Sequence, residues 1–184
     1  MISIITVLYN SDNYIEDFVR SLNKNLINIK NHINYEIIIV NNQAYKTYDN
    51  INLSLNNVKI INSNKNIGFS KAMNNGVKAS NGKYILMVNP DTILSNNLLS
   101  EMYKSITSID KVGIVGCKIY NINNTFQISC RRRFPLPTLL LKRFLFNFNI
   151  IKKNEYNYSH INKDKYCEVD SVSGACMIFK KSLY

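Results

Sequence analysis

Tyr84-Ile-Leu-Met-Val-Asn-Pro-Asp-Thr92 decides the reading of this chain, because an unbroken apolar run passes without a spacer into a polar turn. A strand with one wet face alternates apolar and polar residues, whereas a strand covered on both faces does not. Tyr84–Val88 is therefore expected as a buried strand, with Asn89, Pro90 and Asp91 the first residues past its carboxyl end. Just upstream, Asn66 suits the cap of a helix through Phe69, Met73, Val77 and Ala79, with Gly82 as its stop. Helix followed by buried strand is half of a βαβ unit.

The same alternation runs back to the N-terminus. Ile2–Leu8 is a continuous, largely β-branched run, and Glu36–Val40 is a second one, ending in Asn41-Asn42-Gln43. Between them Ser11 and Asp12 both suit the cap of a helix whose Ile15, Phe18, Val19, Leu22, Leu26 and Ile29 share one face. Val58–Ile61 supplies a short third strand. The expected class is α/β, a Rossmann-like and mainly parallel sheet with helices on both faces. Beyond Asp91 the pattern loosens. It predicts a helix near Asn97–Ser108, a strand at Val112–Val115, and strand pieces around Lys118–Ile122 and Thr125–Arg131 turned at Asn121–Asn124. An amphipathic helix is expected over Pro135–Phe148, a polar loop over Lys152–Lys165, and strand within Cys167–Phe179 interrupted at Ser173-Gly174.

A chain of 184 residues, 46% hydrophobic, is long enough for one well-packed domain. Its 23 basic and 12 acidic residues leave a net charge of +11, which favours anionic partners. Nucleic acid is one such partner, but the sequence has no RNP, KH or helix-turn-helix signature, and its basic residues are not interleaved with aromatics. Salt-sensitive binding to arbitrary DNA is expected of any protein this basic, so no specific nucleic acid is implied. Cys117, Cys130, Cys167 and Cys176 lack zinc spacing, and the N-terminus lacks a basic leader. No apolar run reaches the roughly 18 residues of a membrane span. A reducing, cytoplasmic setting is the expectation.

Ligands of an open parallel sheet bind outside the carboxyl ends of its strands. That rule selects Tyr9 and Asn10, Asn41 and Asn42, Asn62 to Asn66, and Asn89 and Asp91, all of them polar or hydrogen-bonding. Taken singly, each is an ordinary turn or cap residue. Their gathering at four strand ends is what points to a site.

Asn66-Ile-Gly-Phe-Ser-Lys-Ala-Met-Asn-Asn-Gly76, with Ala79, Gly82 and Tyr84–Thr92, resembles the central signature of glycosyltransferase family 2. Ser3–Asn10 is similar to that family's first strand, and Gly113–Gly116, Arg133-Phe-Pro135 and Val169–Ala175 match its later landmarks in order. The resemblance is closest to a rhamnosyltransferase-like branch that builds bacterial cell-surface polysaccharide. It implies a GT-A fold, a nucleoside-diphosphate sugar donor (rhamnose among the sugars), a glycan or lipid-linked acceptor and an inverting transfer. It also implies one domain over 1–184, with a nucleotide-binding part at 1–95 and a partial acceptor side at 96–184. Donor contacts fall by resemblance on Thr6, Tyr9, Asn10, Asn41, Asn66, Gly68, Phe69, Asn74, Asn89, Pro90, Asp91, Gly174 and Ala175. Asp91 stands where the family carries its metal motif, so Mg2+ or Mn2+ is implied as cofactor. A hard cation takes one carboxylate readily when diphosphate and water complete its shell.

Individual residues keep two readings. Asn-Pro-Asp-Thr is also an ordinary strand-ending turn with Asp91 as a cap. Gly68 either lets a helix N-terminus approach the donor closely or eases helix packing, and Asn74 either faces the donor or lies on the surface. Asn41 replaces the Asp that in the family accepts the nucleobase imide hydrogen bond, and an amide oxygen accepts it without charge assistance. The family's general base is an Asp in a Glu-Asp segment downstream of Gly174-Ala175, which this chain does not reach, so the resemblance implies truncation. Asp170 is the one candidate substitute; otherwise it orients hydroxyls or ends a strand. A donor-binding remnant without turnover is the corresponding alternative. The segment Arg131–Arg143 suits peripheral contact with an anionic membrane or a lipid-linked acceptor, or else packing on further protein with its arginines solvated.

Overall fold

The computed structural model describes residues 1–29, 31–44, 57–131 and 166–184. Their elements run β1 (Ile2–Leu8), α1 (Asp12–Ile29), β2 (Tyr35–Asn41), β3 (Val58–Asn62), α2 (Phe69–Ala79), β4 (Tyr84–Val88), α3 (Leu98–Ser108) and β5 (Ile114–Gly116). There follow β6 (Ile119–Tyr120), β7 (Phe126–Gln127), β8 (Cys130–Arg131), β9 (Ser171–Val172), β10 (Cys176–Lys180) and a single 3-10 turn at Lys181–Leu183. The helix expected over Pro135–Phe148, the loop over Lys152–Lys165 and the basic segment after Arg131 lie outside the described residues.

By its contacts the chain forms two compact units, Met1–Val115 with Gly174–Tyr184, and Gly116–Ser173. In the structure α3 and β10 belong to the larger unit with the strands that precede them. That unit is built on a six-stranded sheet of order β3-β2-β1-β4-β10-β5. β3, β2, β1 and β4 pair in parallel, and β10 is antiparallel to β4. Every residue of β1 and β4 is buried, which is why neither strand alternates in sequence. On one face Ile5, Val7, Ile38, Val40, Ile85 and Met87 pack against Ala72, Met73 and Val77 of α2. Gly76 lets α2 come close, since a Cβ there would lie 2.6 Å from Ile5 Cγ2. The opposite face carries Ile4, Leu8, Leu86 and Tyr84, whose ring meets Tyr103 of α3 edge-on at 5.4 Å. α1 packs beside α3, with its stripe Ile15, Phe18, Leu22, Leu26 and Ile29 buried. The expected doubly covered sheet is therefore observed.

Two helix boundaries differ from the sequence expectation. Gly68, not Asn66, is the N-cap of α2, and the Asn66 side chain instead accepts from Gly68 N at 2.9 Å in the turn before it. α2 ends at Ser80, whose N–H and hydroxyl both donate to Val77 O. Gly82 is thus no helix stop: it lies flat on β1, donating from its N–H to Ser3 Oγ at 2.8 Å.

The same corner, at the amino ends of the strands, holds Glu36. Its carboxylate accepts from Ser3 Oγ and from the backbone of Asn81 and Gly82. Partial burial pushes this carboxyl up, but the hydrogen bonds from Ser3, Asn81 and Gly82 together outweigh it and hold the pKa below its ordinary value. A depressed pKa stabilises the fold above the unfolded pKa of about 4.3, and that share is lost as pH falls through the folded value. Glu36→Gln should lower the unfolding temperature at pH 7 and flatten its decline on acidification. Thermal melts of both proteins from neutral pH down past pH 4 check this; equal slopes would refute it.

Among its described residues the smaller unit forms short antiparallel pairs. β6 pairs with β7 through a turn closed by Asn121 N to Thr125 O at 2.9 Å, with Asn124 left-handed at φ 60°. This is the hairpin expected at Asn121–Asn124. β8 pairs with β9, and Ser173 N donates to Ser129 O at 2.7 Å.

Candidate functional site

Four parallel strands end on the same side of the larger unit. The polar residues after β1, β3 and β4, with Asn42 after β2, line a cleft of about 380 Å³. Such a crevice is where an open α/β sheet holds its ligand.

At the end of β1 the chain turns sharply. Asn10 is left-handed at φ 52°, and Ser11 Oγ accepts from Tyr9 N at 3.1 Å, so Tyr9 and Asn10 are turned out into the cleft. α1 starts at once, its first amides donating from Tyr14 and Ile15 to Ser11 O. Ser11 therefore holds the N-cap position expected of it, but its side chain serves Tyr9. Tyr14 stands one turn on and lines the cleft as well. At the end of β2 alternation separates neighbouring asparagines. Asn41 is buried, donating from Nδ2 to Asn62 Oδ1 at 2.8 Å and accepting from Gln43 N at 3.2 Å. Asn42 reaches the cleft, where its Oδ1 accepts from Ile67 N at 3.0 Å and its Nδ2 donates to Asn66 Oδ1 at 3.1 Å. This network fixes the loop that leads into α2.

α2 has no side-chain cap, and the first amides of a helix have no intrahelical partner. Gly68 and Phe69 bring that helix end to the cleft wall. Gly68 has φ 83° and ψ 152°, a region open in practice only to glycine, and a Cβ there would meet nothing within 4 Å. The glycine is needed for conformation, not for helix packing. Gly68→Ala should cost about 1–3 kcal/mol and weaken any anion held at this helix end, measured by a melt and by nucleotide titration. An alanine variant equal to wild type in both would contradict the assignment.

At the end of β4, Asn89 N donates to Ala175 O at 2.8 Å, and Thr92 N closes a turn on Asn89 O at 3.2 Å. That turn presents Asp91, exposed, at the cleft. Asn89 Oδ1 is buried and has no hydrogen-bond partner, an acceptor already stripped of water and unpaired. An exposed carboxylate two residues from an unpaired amide oxygen suits a hard divalent cation whose remaining ligands come from a diphosphate and water. Among the described residues no three His, Cys, Asp or Glu side chains form a cation site by themselves, so the fit depends on that diphosphate.

Of the residues singled out in sequence, the cleft gathers Tyr9, Asn10, Asn42, Asn66, Gly68, Phe69, Asn89, Pro90 and Asp91. Thr6 is not brought to it: Thr6 is fully buried on the sheet face shared with Ile4 and Leu8, and the lining residue is its neighbour Val7. Asn41 supports the wall from behind, and Asn74 is exposed on α2 away from the lining. Gly174 and Ala175 do not line the cleft; Ala175 O accepts from Asn89 N, and Gly174 lies by Met87. Asp170 is exposed and belongs to the smaller unit. Sequence reasoning missed Val7, Ser11 and Tyr14. The signal was there for the last two, because a helix starting so soon after a strand must lay its first turn over that strand's end.

The glycosyl transferase family 2 model matches residues 3–184. The glycosyltransferase GlyG of Streptococcus pneumoniae is 22% identical, over 90% of this chain and 61% of its own length. The minor teichoic acid biosynthesis protein GgaA of Bacillus subtilis is 29% identical, over 71% of this chain and 32% of its own. The chain thus spans less than two thirds of the length of these relatives. Residues 1–349 of S. aureus TarS superpose with a TM-score of 0.60 at 18% identity, covering 99% of this chain and 47% of that one. The mannosyltransferase PcManGT of Pyrobaculum calidifontis, solved with GDP-Man and Mn2+, gives 0.53 at 15% identity over 65% and 35%.

Proposed function

The chain belongs to glycosyl transferase family 2, and from that premise we propose that its cleft binds a nucleoside-diphosphate sugar together with Mg2+ or Mn2+. The observation that carries this is the convergence of Asp91, the unpaired Asn89 oxygen and the uncapped start of α2 on one cleft. Helix amides and a carboxylate-held cation are the two ordinary partners of a diphosphate. Tyr9, Tyr14 and Phe69, each about half exposed on the same cleft, offer apolar faces suited to a nucleobase and sugar. When bound, the cation offsets the charge that develops on the departing nucleoside diphosphate. Asp91 would hold it and the first turn of α2 would orient the phosphates. That the PcManGT structure holds GDP-Man and Mn2+ supports both assignments.

The finer reading is transfer, with inversion, to a cell-surface polysaccharide or lipid-linked glycan. A deoxyhexose such as rhamnose is the sugar expected from the sub-branch resemblance, and kinship with GgaA is in keeping with an envelope acceptor. Action at the cytoplasmic face of the membrane, through the basic Arg131–Arg143 segment, belongs to the same proposal. Asp170 is the proposed group for activating or orienting the acceptor hydroxyl. A second reading, donor binding without turnover, is favoured by one fact: among the described cleft residues Asp91 is the sole carboxylate, and one group cannot serve both cation and acceptor.

One experiment separates the two. The chain is incubated with UDP-GlcNAc, GDP-mannose and a deoxythymidine-diphosphate rhamnose donor, with Mn2+ or with chelator, and nucleoside diphosphate release is followed. Metal-dependent release that falls with Asp170→Asn supports transfer. Metal-dependent binding without release supports the second reading, and no binding of any donor removes both.

A further inference from the structure

α3 begins without a cap of its own. Asn97 sits at its N-cap position in a left-handed conformation, φ 65°, and makes no capping hydrogen bond. Its Oδ1 instead accepts from Asn28 Nδ2 of α1 at 2.9 Å. The amide a cap would satisfy, Leu99 N–H, donates across the helix pair to Asn25 Oδ1 at 3.2 Å. Asn25 Nδ2 in turn donates to Ser95 O at 3.0 Å and to Ser21 O at 3.1 Å. Ser21 Oγ accepts from Leu94 N at 3.1 Å.

Ser21, Asn25 and Asn28 are spaced at i, i+4 and i+7, so they form one polar stripe on α1. Ser21 and Asn25 are buried among the apolar residues of that helix, Asn25 to 1%. A buried amide is costly unless every polar atom is paired. Here both ends of the Asn25 amide are paired, and all but one of its partners lie in residues 95–99. The clamp therefore grips the segment that leaves Asp91. The entry to the same segment is held by Asn89 N on Ala175 O.

We propose that Asn25 is a positioning residue for the cation-binding end of the cleft. By pinning Ser95 and Leu99, with Ser21 pinning Leu94, it fixes the exit of the turn that presents Asp91. α1 also lines the cleft through Tyr14, so the helix that carries the clamp contributes to the same site. The inference rests on the donor-and-cation reading above.

The test uses the full chain and two readouts. Hydrogen–deuterium exchange without ligand should show residues 89–99 of Asn25→Ala exchanging faster than in wild type, with β1 and β2 unchanged. In titrations, Asn25→Ala should bind UDP in Mn2+ about tenfold more weakly, while its affinity for uridine without metal stays at the wild-type value. If Asn25→Ala does not fold, Ser21→Ala carries the same measurements with a smaller expected effect. Faster exchange throughout the sheet, or equal losses for uridine and Mn2+–UDP, would make the clamp a matter of global stability and overturn the proposal. Local loosening with unchanged Mn2+–UDP affinity also overturns it. If wild type binds neither nucleotide, the donor reading is what fails, and exchange at residues 89–99 alone decides whether the clamp exists.

Discussion

Asp91→Ala should lower Mn2+-supported affinity for UDP or GDP by on the order of 100-fold while leaving the unfolding temperature nearly unchanged. The separation of the two effects is the point. Asp91 is exposed at the tip of a turn whose backbone is held by Asn89, Ala175 and Thr92, so its side chain is not part of the packing. Exposed substitutions away from such features usually stay within about 0.5 kcal/mol. Binding is a different matter, because Asp91 is the one carboxylate among the described residues of the cleft and no neighbouring acid can replace it. Asp91→Asn keeps an oxygen but loses the charge, so an intermediate affinity is expected. Titration of nucleoside diphosphate at fixed Mn2+, repeated in chelator, measures this. Equal affinity for wild type and Asp91→Ala in Mn2+ would remove the residue from the site.

Gly82→Ala should do the reverse, costing about 3 kcal/mol of stability with no direct effect on the site. A Cβ at Gly82 would run into Ser3 Oγ and lie 2.6 Å from Ser3 N and 3.0 Å from Ile2 C, and these last two are backbone atoms of a central strand that do not swing away. Backing β1 off would also loosen the Ser3–Glu36–Asn81 hydrogen bonds at that corner. For a domain of this size the loss corresponds to a fall in unfolding temperature of roughly 6–12 °C. Gly76→Ala meets a comparable obstacle, since its Cβ would lie 2.6 Å from Cγ2 of the fully buried Ile5, a methyl fixed to a stiff β-branched side chain. A Gly82→Ala melt within a degree or two of wild type would mean that the contact between the α2–β4 connection and β1 is looser than described.

How much of this was legible in sequence follows from how local each signal is. β1, β2 and β4 read correctly because burial on both faces leaves an unmistakable apolar run. The cleft was legible for the same reason, since every polar residue after such a run marks a strand end. Which asparagine does what was not. Asn41 and Asn42 differ only in the face of the strand to which each points, and the partners that use them, Asn62 and Ile67, come from distant positions. Thr6, named by resemblance, points to the opposite sheet face from the lining residue Val7, one position away. Asn25 carries no local signal, because its partners Ser95 and Leu99 lie 70 and 74 residues away. Gly82 carried a misleading local signal: a glycine after a helix reads as a stop, although it is close packing against Ser3 that demands it. The family-level resemblance did survive comparison, because it rested on motif order along the whole chain.

The proposed donor site lies at the carboxyl ends of the parallel strands. The most direct test is a backbone-amide NMR titration of the full chain with UDP and with GDP in Mg2+. Mg2+ is used because it does not broaden resonances. Saturable shifts are predicted at Tyr9, Gly68, Phe69, Asn89 and Asp91, with Asn81 and Gly82 at the far end of the sheet unmoved. Shifts confined to the far end, or none at millimolar nucleotide, would contradict it.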